Sequence, residues 1–229
     1  MMSQPSIAII GAGIGGLAVS ACLRRAGVET TIYEQAPAFA RMGAGIQMSP
    51  NAMRVLYGIG VGEQIRASAF EPPHWRNRDH DTGRLTNDHP LGPDALERYG
   101  VPYMLMHRGD LHAALHGAVA NETIRYGHKL CGVDQSEDGV TLEFENGETV
   151  IYDAVIASDG VHSPVRDWML GAEEARFTGR LAYRTAFPSK LMNGYELMDE
   201  SAKWWGPDRH IVIYYVTAAR DEIYFTTSQ

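Results

Sequence analysis

The chain has 229 residues, 45% hydrophobic and 21% charged, enough to bury a full core in one large or two small domains, which excludes low-complexity, collagen-like and disulfide-scaffold classes. Its 28 acidic and 20 basic residues give a net charge of −8, a poor match to a nucleic-acid backbone or an anionic membrane surface. Two cysteines, Cys22 and Cys131, make no disulfide framework; they are expected as buried apolar thiols in a reducing cytoplasm.

Residues 1–23 carry no charged side chain and no histidine. A signal peptide needs a positive leader, absent before Arg24, and a membrane helix would not usually carry Pro5 and a cluster of glycines. The stretch reads instead as strand, turn and helix. Residues 6–10 are a short β-branched run, expected as a buried strand, and residues 17–25 have helical spacing with Gly27 as a stop. Residues 28–34 form a second strand, which makes a βαβ unit. Pro50–Ile59 is expected to be helical.

From residue 70 to 102, prolines punctuate a polar stretch rich in His and Asp, expected as short strands and turns. Gly109 and Asp110 then precede a helix over 111–120. Strands are expected over 123–126, 129–135, 139–145 and 148–152, with Asn146-Gly147 as a hairpin turn, and a buried strand over Ala154–Ala157. Beyond residue 177 the alternation is that of antiparallel strands, at 181–187, 203–205, 210–216 and 222–227.

Gly11, Gly13 and Gly16 spell G-x-G-x-x-G between strand and helix. The first glycine permits the tight turn, the second lets backbone N–H groups approach a diphosphate, and the third allows close helix–strand packing. A phosphate there meets a helix N-terminus. Glu34 follows 18 residues beyond Gly16, near the distance of a ribose-binding carboxylate. The bland reading is a glycine turn beside a surface glutamate; dinucleotide binding is favoured, and the motif alone leaves FAD and NAD open.

Other patterns carry less. His112 and His116 have Ala113 where a zinc protease needs a glutamate, and His74, His80 and His89 are irregularly spaced, so no metal site is expected. Ser158 and Ser163 lie in no nucleophile elbow. Trp204-Trp205 is expected as core or pocket wall.

Three further segments, in order, resemble those of the single-component flavoprotein aromatic hydroxylases: Arg41 to Ala52 with Gly43, Gly45 and Gln47, then His107-Arg108-Gly109-Asp110-Leu111, then Ser158-Asp159-Gly160 through Arg166. The resemblance covers essentially the whole chain, and the ending Lys203-Trp204-Trp205 … Tyr214-Tyr215 … Asp221-Glu222 is similar to that of the branch acting on 6-hydroxynicotinate. It implies an α/β fold: a Rossmann-like FAD-binding domain with a parallel sheet (residues 1–70 and 102–177) and an antiparallel β-sheet substrate domain (71–101 and 178–229). The family's later G-D motif has no copy here, so the resemblance implies an amino-terminal portion, C-terminally incomplete.

The implied chemistry is hydroxylation of a small hydroxylated aromatic or pyridine carboxylic acid, with FAD, NAD(P)H and O2, through a flavin C4a-hydroperoxide. Implied cofactor contacts are Gly11, Gly13, Gly15, Gly16, Glu34, Gln35, Arg41, Gln47, Arg108, Leu130 and Asp159. Gln47 departs from the branch, which carries a histidine base there; an amide takes no proton at neutral pH. Arg108 could reach flavin oxygens or sit at the surface; Asp110 could cap its helix or touch cofactor; Asp159 could be held by backbone N–H groups or Arg166 while serving the flavin site. Alternation places His210 and Tyr214 on one strand face about 13 Å apart. Either Tyr214 orients or deprotonates a substrate hydroxyl while His210 binds its carboxylate, or the two simply pack. A homodimer is compatible with the resemblance, and neither nucleic acid nor stable membrane association is expected. A flavin-binding chain without turnover and an NAD-dependent dehydrogenase are the competing readings.

Overall fold

The computed structural model describes residues 5–119, 123–197 and 199–229. In chain order, β1 is Ile7–Ile10, α1 Ile14–Arg25, β2 Thr30–Glu34 and β3 Gly45–Met48; α2 is Pro50–Ile59 and α3 Gly62–Ser68. Next come β4 at His74–Asp79, β5 at Leu85–Pro90, α4 at Pro93–Tyr99, β6 at Met104–His107 and α5 at Arg108–Gly117. Four strands follow, β7 Ile124–Tyr126, β8 Leu130–Ser136, β9 Gly139–Phe144 and β10 Thr149–Tyr152, then β11 Ala154–Ala157 and α6 Pro164–Leu170. The rest is β12 Ala182–Pro188, a 3-10 turn at Ser189–Met192, β13 Ser201–Trp205, β14 His210–Tyr215 and β15 Glu222–Ser228. Ala120, where the expected helix over 111–120 ends, and residues 1–4 of the charge-free stretch lie outside the described residues.

The chain divides into two compact units, Met1–Ala40 with His112–Arg176, and Arg41–Leu111 with Phe177–Gln229. Residues 41–70 and 102–111, both expected with the flavin half, pack within the second unit. There β3 pairs antiparallel with β6, Phe70 bridges to Leu105, and the Ala218 N–H donates to the Ser68 carbonyl.

In the first unit β1 is the centre of a parallel sheet, flanked by β11 and β2, with β7 beyond β2. Its apolar run Ala8, Ile9 and Ile10 is buried, as a strand covered on both faces must be. β11 was expected to be buried too, but it is half-buried because it is the edge strand of that sheet. A separate antiparallel meander, β8 to β10, turns at Asn146-Gly147, where Gly147 has φ +87°. Leu142 and Phe144 pack with Tyr33 of β2 into one core. Cys22 and Cys131 are both exposed rather than buried: Cys22 lies on the outer side of α1, and Cys131 sits at a register shift in β8.

The second unit is built on a six-stranded sheet, ordered β12-β15-β14-β13-β4-β5. Its pairings are antiparallel except β13 with β4, which run parallel. The expected short strands of residues 70–102 are β4 and β5, followed by a helix, α4, that the prolines had masked as a turn: Pro93 occupies a first-turn position, where its missing N–H costs nothing. Phe70, Leu105, Val212, Tyr214, Ile223 and Tyr224 form the core. Among the described residues no helix is long and apolar enough to cross a membrane.

Candidate functional site

The predicted site residues fall into two groups. Gly11, Gly13, Gly15, Gly16, Glu34, Gln35, Leu130 and Asp159 belong to the first unit, and Arg41, Gln47, Arg108, His210 and Tyr214 to the second.

In the first unit the glycine turn joins β1 to α1. Gly11 has φ +99°, and a side chain on it would run into the Ser158 backbone; one on Gly16 would overlap the Gly11 carbonyl and the Ile9 side chain. Gly13 differs. Its φ of −71° is open to any residue, and a side chain there would stand in open space. The glycine at that position therefore keeps a surface clear, not a conformation. Among the described residues no side chain caps α1, so its first-turn N–H groups are left for an anion. The Glu34 carboxylate is fixed by two backbone bonds: the Ala12 N–H donates to Oε2 and the Ala36 N–H to Oε1, each at 2.8 Å. His112 holds the other side of the turn, its Nε2 lying 2.6 Å from the Ala12 carbonyl.

A cleft of about 620 Å³ opens beside this turn, within the usual range of ligand pockets. Gly11, Gly13, Glu34, Gln35, Leu130 and Asp159 line it, with Tyr33 and His128. Asp159 accepts from the Val165 N–H at 3.2 Å at the start of α6. Arg166, an expected partner of Asp159, instead bonds Asp167 and the Val161 carbonyl. The cleft fits a dinucleotide: an uncapped helix start, a glycine that leaves open space, and a fixed carboxylate at ribose distance along the chain.

In the second unit Arg41 is already engaged, donating to Asp110 at 2.5 and 3.0 Å and to Glu222 at 3.4 Å. Its hydrogen bond to Asp110 holds the Arg41 guanidinium above its ordinary pKa. Asp110 is thus an ion-pair partner and not the helix cap; α5 starts earlier, and the Gly109 N–H donates to the His107 ring at 3.0 Å. Arg108 is exposed and, among the described residues, its guanidinium donates to the Met42 carbonyl at 3.4 Å.

A cavity of about 1010 Å³ lies between the sheet face of β4, β13 and β14 and the elements carrying Gln47, Tyr103 and α4. Trp75, Lys203, Trp205 and Val212 form its sheet wall. Opposite them the Tyr103 hydroxyl donates to Gln47 Oε1 at 2.8 Å, and burial pushes the Tyr103 phenol up to about 12, so it remains a donor at neutral pH. Tyr214 is almost fully buried, its ring 6.3 Å from that of Trp75. Burial raises its phenol far above the ordinary value, Tyr224 and Tyr103 add to the rise, and the Gln47 amide opposes it. His210 shares the strand face of Val212 but does not line the cavity. Its Nδ1 lies 2.8 Å from the Ser228 hydroxyl and its ring 5.5 Å from Trp205. Burial, then the charges of Lys203 and Arg180, hold its imidazole below the ordinary value.

Tyr103 and Trp75 were not singled out in the sequence; Trp205 was expected as core or pocket wall, and Lys203 was named only within the 203–205 resemblance, although two residues apart on a strand the two share a face. Tyr103 gives no signal, because its partner Gln47 is 56 residues away.

A model of the FAD binding domain matches residues 4–188. The chain belongs to the FAD-binding domain family. Among its relatives, 6-hydroxynicotinate 3-monooxygenase of Bordetella bronchiseptica is 41% identical over 227 residues, and that of Pseudomonas fluorescens 39% over 228; each match covers 99% of this chain. The chain spans 59% of the length of either relative. Among solved structures, Klebsiella pneumoniae HpxO complexed with FAD and uric acid superposes with a TM-score of 0.86 at 24% identity, covering 100% of this chain and 57% of its own. The 2,6-dihydroxypyridine-3-hydroxylase of Arthrobacter nicotinovorans does so with 0.78 at 22%, covering 98% and 56%. The flavoprotein-hydroxylase resemblance and the FAD-binding fold are thereby confirmed, and FAD is the cofactor of the family.

Proposed function

We propose that the chain carries the flavin- and ring-binding parts of a monooxygenase that hydroxylates a small hydroxylated aromatic or pyridine carboxylic acid. The observation that carries this reading is a single chain holding both a dinucleotide cleft at an uncapped helix start and a tryptophan-walled cavity lined opposite by a hydroxyl–amide pair. The 41% identity to a 6-hydroxynicotinate 3-monooxygenase supports a pyridine acid as the ring. When bound, FAD would supply the activation of O2 with electrons from NAD(P)H.

The chain's own residues would do the rest. First-turn N–H groups of α1 and the open face at Gly13 would hold the diphosphate, Glu34 would accept from ribose hydroxyls, and Gln35, Leu130 and Asp159 would line the same cleft. Arg41, Gln47 and Arg108 are the proposed contacts of the second unit, Arg41 by sharing its guanidinium with Asp110 and Glu222. Tyr103 donates to Gln47 Oε1, which leaves the Gln47 amide N–H groups as donors to a ring oxygen. Gln47 can polarise and orient that oxygen but not take its proton. Tyr214, kept protonated by burial in the core behind the cavity, would orient the wall at Trp75 and Gln47 rather than deprotonate the ring hydroxyl. His210, bonded to Ser228, would support the Trp205 wall. The two unpaired cysteines support a reducing compartment, the cytoplasm, and a dimer is the proposed assembly.

The test is NADH consumption by the FAD-loaded protein across hydroxylated benzoates and pyridine acids under ¹⁸O₂. The expected result is ring-stimulated consumption with one labelled oxygen in the product. Bound flavin with no labelled product supports the second reading, a flavin-binding chain without turnover; the chain's 59% span of its relatives is what keeps that reading in view. A colourless protein that still oxidises or reduces a hydroxy acid with NAD would support a dehydrogenase.

A further inference from the structure

The sheet wall of the second-unit cavity contains one half-buried cation. Lys203 stands on β13 between cross-strand neighbours Val212 of β14 and Asn77 of β4, and all three line the cavity. Its Nζ lies 3.5 Å from the centre of the Trp205 ring, which is two residues on and on the same face. Among the described residues no carboxylate pairs with it. The carboxylates that line the cavity, Asp94 and Glu97, belong to exposed positions of α4, and the other cation there, Arg98, is exposed with its guanidinium over Tyr99. Burial holds the Lys203 ammonium below its ordinary pKa, as expected of a desolvated charge that lacks a counter-ion.

We propose that Lys203 is the anion anchor of this cavity: it takes the carboxylate of an aromatic acid whose ring lies against Trp75 and Trp205 and whose ring oxygen faces the Gln47–Tyr103 pair. A half-buried ammonium without a counter-ion is a site that a carboxylate completes, and the aromatic wall supplies a flat apolar surface for the ring that joins the two ends. His210, the residue first expected to bind the carboxylate, does not line the cavity, and its Nδ1 is bonded to Ser228. The proposal rests on the reading of this cavity as the ring site, and it names the group that selects acids over neutral phenols and pyridones.

The test is ligand binding by the FAD-loaded chain, followed through quenching of the cavity tryptophans, with 6-hydroxynicotinate and with 2-hydroxypyridine, the same ring without its carboxylate. The wild-type protein should prefer the acid. Lys203→Met should weaken the acid by about 10- to 100-fold, the usual loss for a hydrogen bond to a charged group, and leave 2-hydroxypyridine unchanged. Lys203→Arg should restore most of the preference, and Arg98→Met should keep it. An undiminished acid preference in Lys203→Met, equal losses for both ligands, or a loss confined to Arg98→Met would each overturn the anchor while leaving the ring site in place. Failure of wild-type protein to bind either ring would remove the ring site and the anchor together.

Discussion

Gly13 and Gly16 sit three residues apart in one motif and are glycine for different reasons. At Gly16 a methyl would overlap the Gly11 carbonyl and Ile9, so that glycine serves packing; at Gly13 the space is open, so it serves only a molecule that approaches the backbone. Gly16→Ala should therefore destabilise the fold by about 1–3 kcal/mol, the cost of overpacking, seen as a lower urea midpoint. Gly13→Ala should leave stability within about 0.5 kcal/mol and weaken FAD by about tenfold or more in a flavin-fluorescence titration. A Gly13 variant that unfolds, or one that binds FAD as well as wild type, would contradict the assignment. At this scale the sequence was informative where a residue's partner is local. The spacing of Gly11, Gly13, Gly16 and Glu34 shows in the string because the βαβ unit is one continuous stretch. The ion pair of Arg41 with Asp110 does not, because it joins positions 69 residues apart and leaves Asp110 looking like a cap.

Among the elements, the parallel pairing of β13 with β4 brings together strands more than 120 residues apart in the chain. A buried carboxylate fastens it. Asp199, just before β13, accepts from Arg76 Nη1 at 2.9 Å and is gripped by Arg78 on β4, while the Ser201 hydroxyl donates to the His74 carbonyl. Hydrogen bonding from Arg78, then from Arg76, holds the Asp199 carboxyl below its usual range. A depressed carboxylate stabilises the fold above its unfolded value of about 3.9, and that contribution is lost as pH falls through the lower folded value. Asp199→Asn should cost about 3 kcal/mol at pH 7, since it leaves two arginines facing a neutral amide, and the gap to wild type should shrink below about pH 4. Urea melts at pH 7 and pH 3.5 check this; a gap that is constant with pH would dismiss the ionic role. Hairpins and helices with local signals were legible, as at Asn146-Gly147 and Pro50–Ile59. β4 was legible as a strand, but its parallel partner was not, because long-range register leaves no trace in a single string. α6 was absorbed into the reading of its D-G motif, although Ser163 and Pro164 are a cap and first-turn proline in sequence.

For the whole molecule, two units each carry one half of the proposed chemistry, and the residues expected to hold FAD are divided between them. The fold class was legible because alternating β and α signals precede a run of strands, and the unit boundary was not, because residues 41–70 and 102–111 reveal their allegiance only through long-range packing, Phe70 and Leu105 against Val212 and Ile223. The claim on which the rest stands is that the first-unit cleft is a dinucleotide site. It is tested most directly by electron density in crystals of the chain grown with saturating FAD. The account predicts the diphosphate against the first-turn N–H groups of α1, over Gly13, with the adenosine ribose hydroxyls on Glu34. FAD bound elsewhere, or a cleft left filled only by solvent, would contradict it.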